Sequence, residues 1–187
     1  MQTGIFVPEG VGVLEKKRMI MDDKAMQRAI ARISYEIIEH NKGAEELCVI
    51  GIRSRGVTIG KRIADKLSDL ENVSVPFGQL DITPYRDDVA AGGTDELTDI
   101  PFSVKDMKVI IVDDVIFTGR SARAALEAIM KRGRPRSVQL AVLIDRGHRE
   151  LPIRPDYVGK NLPTSHSEVV KVFVEEIDGS DGVAIFG

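Results

Sequence analysis

Three segments of this chain are apolar almost without interruption: LCVIGI (47–52), VIIV (109–112) and VQLAVLID (138–145). A strand with one face in water alternates polar and apolar residues. Strands apolar on both faces need cover on both sides, which a parallel sheet sandwiched between helices provides. The intervening segments carry the matching helical period. Met26, Ile30, Ile33 and Ile37 follow a capping Asp22 or Asp23 and run to Asn41 and Gly43. Ile59, Ile63, Leu67 and Leu70 mark a second helix. Ala125, Leu126, Ile129 and Met130 mark a third, closed by Gly133 and Pro135. A further strand is expected over 73–82 with a bend at Gly78, and a terminal strand pair over 169–178 and 182–186 with a turn near Asp178 to Asp181. The expectation is a single α/β domain over 1–187 with a central, mainly parallel sheet flanked by helices. Residues 1–16 stay unassigned within it, although Gly4, Pro8, Gly10 and Gly12 suggest loops and a short hairpin. Residues 83–101 are polar and aperiodic. A loop of that length inside a small domain is a functional lid or is disordered.

With 187 residues, 43% hydrophobic and 29% charged, the chain can bury a core without staples. A net charge of −3 argues against a generic basic nucleic-acid binder while leaving room for a local basic face. The single cysteine, Cys48, lies in an apolar run and has no internal partner, which suggests a reducing, cytoplasmic setting. No apolar run is long enough to span a bilayer, and MQTGIFVPEG does not read as a signal peptide.

The sharpest chemical signal is VIIVDDVIFTGRSARAAL (109–126). A buried strand delivers Asp113 and Asp114 to its C-terminal edge, where open parallel sheets bind ligands. Thr118-Gly119-Arg120-Ser121 then opens a helix, whose free N–H groups and positive dipole end suit a phosphate. Gly119 permits close backbone approach, and the Thr118 and Ser121 hydroxyls add hydrogen bonds. Paired carboxylates are poor phosphate ligands but good acceptors for sugar hydroxyls. The segment therefore reads as a site for a sugar bearing a terminal phosphate. Paired acids after a strand also serve phosphoacceptor and metal sites, and a Thr-Gly step can be a plain turn.

Two other segments fit an anionic ligand. GIRSRG (51–56) places two arginines before a helix, which suits a second anionic group as well as a solvated turn. From Arg146 to Lys160 the chain is locally basic: Arg146, His148, Arg149, Arg154 and Lys160 outnumber Glu150 and Asp156. A solvated connection rich in proline and glycine is the plainer account of that stretch. His40, His148 and His166 are too scattered to form a metal cluster.

Residues 109–121 resemble the phosphoribosyl pyrophosphate (PRPP) motif of type I phosphoribosyltransferases. The resemblance implies that fold, with a small C-terminal hood. It implies that Asp113 and Asp114 hold the ribose hydroxyls, that Thr118, Gly119, Arg120 and Ser121 hold the 5′-phosphate, and that Arg53, Ser54 and Arg55 form the pyrophosphate loop. DITPYRDD (81–88) is similar to the flexible loop of that family, in which Arg86 reaches pyrophosphate and Tyr85 helps exclude water. Mg²⁺ is then expected to arrive with PRPP rather than in a protein cage.

Together with DITPYRDD and VDDVIFTGRS, the segments GRPRSVQLAVLIDRGHRELPIR and DYVGKNLPTS resemble the PyrR family over Lys17 to Phe186. Members are uracil phosphoribosyltransferases that also bind pyrimidine operon mRNA and promote attenuation. The resemblance implies uracil and PRPP as substrates, UMP as product and effector, and a base site at Arg146, Tyr157 and Val158. It implies RNA contacts at His148, Arg149, Arg154 and Lys160, extended by Arg28 and Arg32 on the first helix. Small α/β enzymes commonly assemble symmetrically, so a homo-oligomer is expected. Ser54 and Ser121 stand where relatives often carry threonine and keep the hydroxyl, residues 1–16 carry no family feature, and 89–100 is a short glycine-bearing stretch. Two rivals stay open: an RNA-binding regulator with negligible catalysis, and a phosphoribosyltransferase for another base without RNA function.

Overall fold

The structure is a computed structural model describing residues 15–87 and 97–187. Strand β1 (Lys16–Met21) precedes helix α1 (Asp23–Asn41), β2 (Leu47–Ile52), α2 (Arg55–Glu71) and β3 (Phe77–Leu80). After a 3₁₀ turn at Thr83–Tyr85 come β4 (Lys108–Ile116), α3 (Arg120–Arg132), β5 (Ser137–Asp145) and β6 (Tyr157–Asn161). The chain finishes with β7 (Val169–Phe173), the short α4 (Glu175–Asp178) and β8 (Gly182–Phe186). Five strands form one sheet in the order β3-β2-β4-β5-β6, every neighbouring pair parallel. A separate antiparallel sheet has the order β1-β8-β7.

The apolar runs are buried on both faces for the reason their composition requires. Val49, Ile110, Val112, Ala141 and Leu143 pack toward α1 and α2, in a core shared with the small sheet. Their neighbours Cys48, Ile50, Ile111, Leu140 and Val142 pack with Ala124, Ala125, Ala128 and Ile129 of α3. Cys48 is fully buried there, and burial pushes its thiol up to about 12, so it acts as a small apolar side chain. Helix α1 starts as expected, with Asp22 accepting from the Ala25 N–H at 2.8 Å. It stops at Lys42 in the left-handed region.

Several elements differ from the sequence expectation. The third strand covers only Phe77–Leu80, and Gly78 is no bend. A side chain there would stand 3.1 Å from the Asp99 carbonyl, because residues 99–100 lie against the strand, where Gln79 and Asp99 form an antiparallel bridge with backbone hydrogen bonds of 2.8 and 2.9 Å. Both stems of the 83–101 stretch are thus anchored among the described residues. The segment 169–178 is a strand only to Phe173, since Asp178 accepts from the Val174 N–H at 2.9 Å and the chain turns helical. Strands β1 and β6 have no counterpart in the sequence expectation, and the hairpin expected around Gly4 to Gly12 lies outside the described residues.

The start of α2 rests directly on the sheet. A Cβ on Gly51 would sit 2.5 Å from the Gly56 carbonyl oxygen and 2.6 Å from Val57 Cα, and one on Gly56 would sit 2.7 Å from the Val112 oxygen. Gly51→Ala is therefore expected to cost about 1–3 kcal/mol, the range for overpacking a tight core. A lowered urea midpoint with an unchanged denaturant slope would bear this out, and an unchanged midpoint would contradict it.

Candidate active site

The site lies at the C-terminal ends of β2, β4 and β5. Strand β4 runs past its apolar half and presents Asp113 and Asp114, with Asp113 beside Val142 of β5. Each carboxylate is fixed by the backbone that follows it: the Asp114 N–H donates to Asp113 Oδ1 at 2.9 Å and the Val115 N–H to Asp114 Oδ1 at 2.8 Å. Burial raises the proton affinity of both carboxyls above the ordinary 3.8, and the charge of Asp114 raises Asp113 further. Contacts with Asp113, the Val115 N–H and the nearby Arg55 hold Asp114 back. Such a pair is short of hydrogen-bond donors, the condition that favours sugar hydroxyls.

Five residues after Asp114, Gly119 takes φ 92°, where a side chain would be strained, and α3 begins at Arg120. Its first-turn N–H groups open onto a cleft lined by Asp113, Thr118, Gly119 and Ser121. Across from it, β2 leads into Arg53, Ser54 and Arg55, with a cis peptide between Arg53 and Ser54. These three share a second cleft with Arg86, Asp113, Asp114 and Ser121. The structure thus brings together Asp113 and Asp114, the Thr118–Ser121 turn, the Arg53–Arg55 turn and Arg86. Arg55 is also held from behind: Asp178 takes its Nη2 at 2.7 Å and its Nε at 3.2 Å. Sequence reasoning misses Asp178, because its partner is far away along the chain and nothing local marks it.

Other expected site residues are placed elsewhere. Tyr157 and Val158 open β6 beside Ala141 and Val142, one strand further out than the first cleft, whose wall includes Leu140 and Val142 of β5. Strand alternation turns Tyr157 toward α1, where it is buried and its hydroxyl donates to Gln139 at 2.6 Å. Val158 packs on the α3 side. Neither side chain is among those lining the two clefts, so the structure does not bring the residues expected at the base together with the carboxylates through their side chains. Tyr85 does not cover the site in this conformation either. It packs against the α3 core, with the Lys131 ammonium 4.7 Å from its ring centre. Arg146 is buried at the end of β5, its guanidinium 4.1 Å from the Phe117 ring centre. It donates to Thr164 Oγ1 at 3.1 Å and to the Glu168 carbonyl at 2.6 Å, so it pins 164–168 beside the cleft.

The basic residues divide in two. Arg149 donates to the carbonyls of Ile153, Phe117 and Gly147 and to Asp145 Oδ2, so its guanidinium fastens the loop from inside instead of standing free for RNA phosphate. His148 contacts the Thr164 carbonyl and lies against Phe117 and His166. Arg32 donates to the Val158 and Gly159 carbonyls and pairs with Glu36. Arg28, Arg154 and Lys160 are exposed.

Comparison with known proteins settles the lineage. The phosphoribosyl transferase domain family matches residues 17–177. The bifunctional protein PyrR of Ligilactobacillus salivarius is 55% identical over 173 residues, spanning 90% of this chain and 97% of that protein. This chain belongs to the PyrR family of phosphoribosyltransferases. The PyrR of Deinococcus radiodurans is likewise 55% identical over 173 residues, covering 91% of this chain and 94% of its own. Beyond PyrR, a hypoxanthine phosphoribosyltransferase of Trypanosoma cruzi in a ternary substrates complex superimposes with a TM-score of 0.74 at 20% identity, over 92% of this chain and 96% of that one. The same enzyme with the product IMP gives 0.72 at 20% identity, over 91% and 94%. At that identity the likeness is one of fold, and it confirms the type I phosphoribosyltransferase architecture around the PyrR-like sequence.

The raised carboxyl pair has a stability consequence. Between the unfolded value near 3.8 and the raised folded values, the native state binds more protons than the unfolded chain, so stability falls as pH rises through that window. Asp113→Asn keeps the oxygen that accepts from Asp114 and removes the charge. It is expected to raise the melting temperature at pH 7 by about 2–4 °C, the response of a chain this size to about 1 kcal/mol. The gain should shrink toward pH 4, and a melting series across pH reads it directly.

Proposed function

We propose that the chain transfers the phosphoribosyl group of PRPP to uracil, giving UMP and pyrophosphate, and that it binds pyrimidine operon mRNA and regulates attenuation in response to UMP. The observation that carries the catalytic half is the meeting of Asp113 and Asp114, the α3 N-terminus and the Arg53–Arg55 loop around adjoining clefts. The carboxylates accept from the ribose 2′- and 3′-hydroxyls. The N–H groups at the start of α3, with the Thr118 and Ser121 hydroxyls, hold the 5′-phosphate. The bond from C1′ to the pyrophosphate oxygen breaks as uracil N1 bonds to C1′, the bonding pair leaves with pyrophosphate, and the N1 proton is released. The protein supplies position and charge complementarity rather than a nucleophile. Arg53, Arg55 and Arg86 would neutralise the departing anion, and exclusion of water, to which Tyr85 would contribute, protects an oxocarbenium-like ribose.

Among the described residues no group of three or more His, Cys, Asp or Glu is placed to hold a metal. The two desolvated carboxylates suit a cation that arrives with its own oxygen ligands. Asp113 and Asp114 would face Mg²⁺ carried by PRPP, which neutralises the pyrophosphate. No helix among the described residues is long and apolar enough to cross a membrane. A cytoplasmic homo-oligomer is the setting this reading implies.

The RNA half rests on the PyrR relationship and on exposed Arg28, Arg154 and Lys160, with Arg32 beside them through its contacts to β6. Phosphate contacts of this kind supply affinity that falls with salt.

Catalysis is tested by UMP formation from labelled uracil with PRPP and Mg²⁺, against orotate, hypoxanthine and guanine. Turnover with uracil alone is expected, and Asp113→Asn with Asp114→Asn should abolish it in folded protein. Turnover of a control base in place of uracil would reassign the substrate. For RNA, Arg154→Ala with Lys160→Ala should weaken binding about tenfold or more and flatten its salt dependence by about one unit of slope for each phosphate no longer neutralised. Equal affinity at matched salt would take both residues off the RNA surface.

A further inference from the structure

The segment 145–153 is hydrogen-bonded to residues 116–118, which lead into the phosphate loop. The Arg146 N–H donates to the Ile116 carbonyl at 3.0 Å and Arg149 Nη1 to that of Phe117 at 2.9 Å. The Glu150 and Leu151 N–H groups both donate to the Thr118 carbonyl, at 3.0 and 3.2 Å. The Leu151 and Ile153 Cβ atoms stand 3.6 Å from where a side chain on Gly119 would begin. A shift of the loop therefore moves the segment with it. One side chain adds an electrostatic tie. Arg120, the first residue of α3, reaches Glu150 Oε2 through Nε at 2.9 Å and Nη2 at 2.8 Å, and gives Nη1 to Asp87 Oδ2 at 2.5 Å. Asp87 belongs to the stem of the 83–101 stretch and lines one cleft with Thr118, Arg120 and Ser121. A single guanidinium thus joins the phosphate loop, the lid stem and the segment leading to Arg154 and Lys160.

We propose that Arg120 is a ligand-sensitive latch: the phosphate of UMP draws its guanidinium from Glu150 and so reports occupancy of the cleft to the 145–153 segment. The proposal rests on the reading of UMP and RNA as ligands given above. A nucleotide phosphate carries nearly two negative charges and takes a guanidinium in preference to a single carboxylate. Bound at the start of α3, it competes for Arg120 and repels Glu150 and Asp87. A ligand shifts an equilibrium only through different interactions with the two states, and competition for Arg120 provides that difference. The pair is exposed, at 48% and 53% for the two side chains, so the coupling is limited to about fivefold and weakens with salt.

The test compares wild type with Glu150→Gln, which keeps size and removes charge, and with Glu150→Asp, which restores the charge. UMP affinity is measured by calorimetry, exchange of the 146–155 peptide by mass spectrometry with and without UMP, and RNA affinity with and without UMP. In wild type, UMP should speed exchange of the Glu150 and Leu151 amides and change RNA affinity by up to about fivefold. In Glu150→Gln, UMP should bind up to about fivefold tighter, the peptide should stop responding, and the ratio of RNA affinities should fall to about one. Glu150→Asp should recover part of each effect. Equal UMP affinity together with an equal exchange response in wild type and Glu150→Gln would overturn the latch. Absence of UMP binding in any form would refute the proposed function and the latch together. UMP binding without RNA binding would refute only the RNA half, and the calorimetry and exchange would still decide the latch.

Discussion

Everything chemical in this molecule depends on how closely the start of α2 lies on the sheet. Gly51 and Gly56 leave no room for a side chain between β2, the first turn of α2 and the backbone of Val112 and Asp113. That approach sets the Arg53–Arg55 loop beside the carboxylates of β4. With a layer of methyl groups between them, Arg53 and Arg55 would be pushed away from Asp113 and Asp114. Desolvation of Asp113 and Asp114 follows from the same packing. The raised proton affinity of the pair is thus a by-product of the geometry that makes it useful.

Legibility in the sequence tracks distance along the chain. The step from β4 to α3 is readable because strand, acids, glycine and helix start are contiguous, and each constrains the next. The parallel sheet is readable because apolar runs need cover on both faces. The errors have identifiable causes. Tyr157 sits in a segment that suggests a base contact, but its face is set by strand alternation in β6, an element with little apolar signal. Arg149 counts as a free charge in the sequence, whereas its guanidinium is committed to three carbonyls and Asp145. Strand β1, KKRMIM, is mostly exposed and carries no burial pattern to find. The Arg55 contact with Asp178 spans 123 positions, and no local composition announces it.

The arginines of this acidic chain fall into distinct kinds of work. Arg146 and Arg149 are fasteners that satisfy loop carbonyls which would otherwise be left unpaired near the sheet edge. Arg62 and Arg55 clasp the 174–181 segment: Arg62 pairs with Glu176 and Asp181, and Arg55 with Asp178. The hydrogen bonds from Arg62 lower the proton affinity of Asp181, so the clasp stays charged well into the acid range. Charge counting alone reads all of these as one basic surface.

The order of strands in the small sheet has a consequence for synthesis. β8 lies between β1 and β7, so β1, made early, waits for a partner made near residue 186. The strand pairing of the five-stranded sheet is complete by residue 161, although its core face is covered in part by later residues. The clasp that holds Arg55 comes from residues 174–181, just ahead of β8. A nascent chain on the ribosome therefore has the residues of the β4–α3 turn well before the Arg53–Arg55 turn gains its contact with Asp178. A chain cut short before α4 would lack Asp178 and with it the contact that holds Arg55.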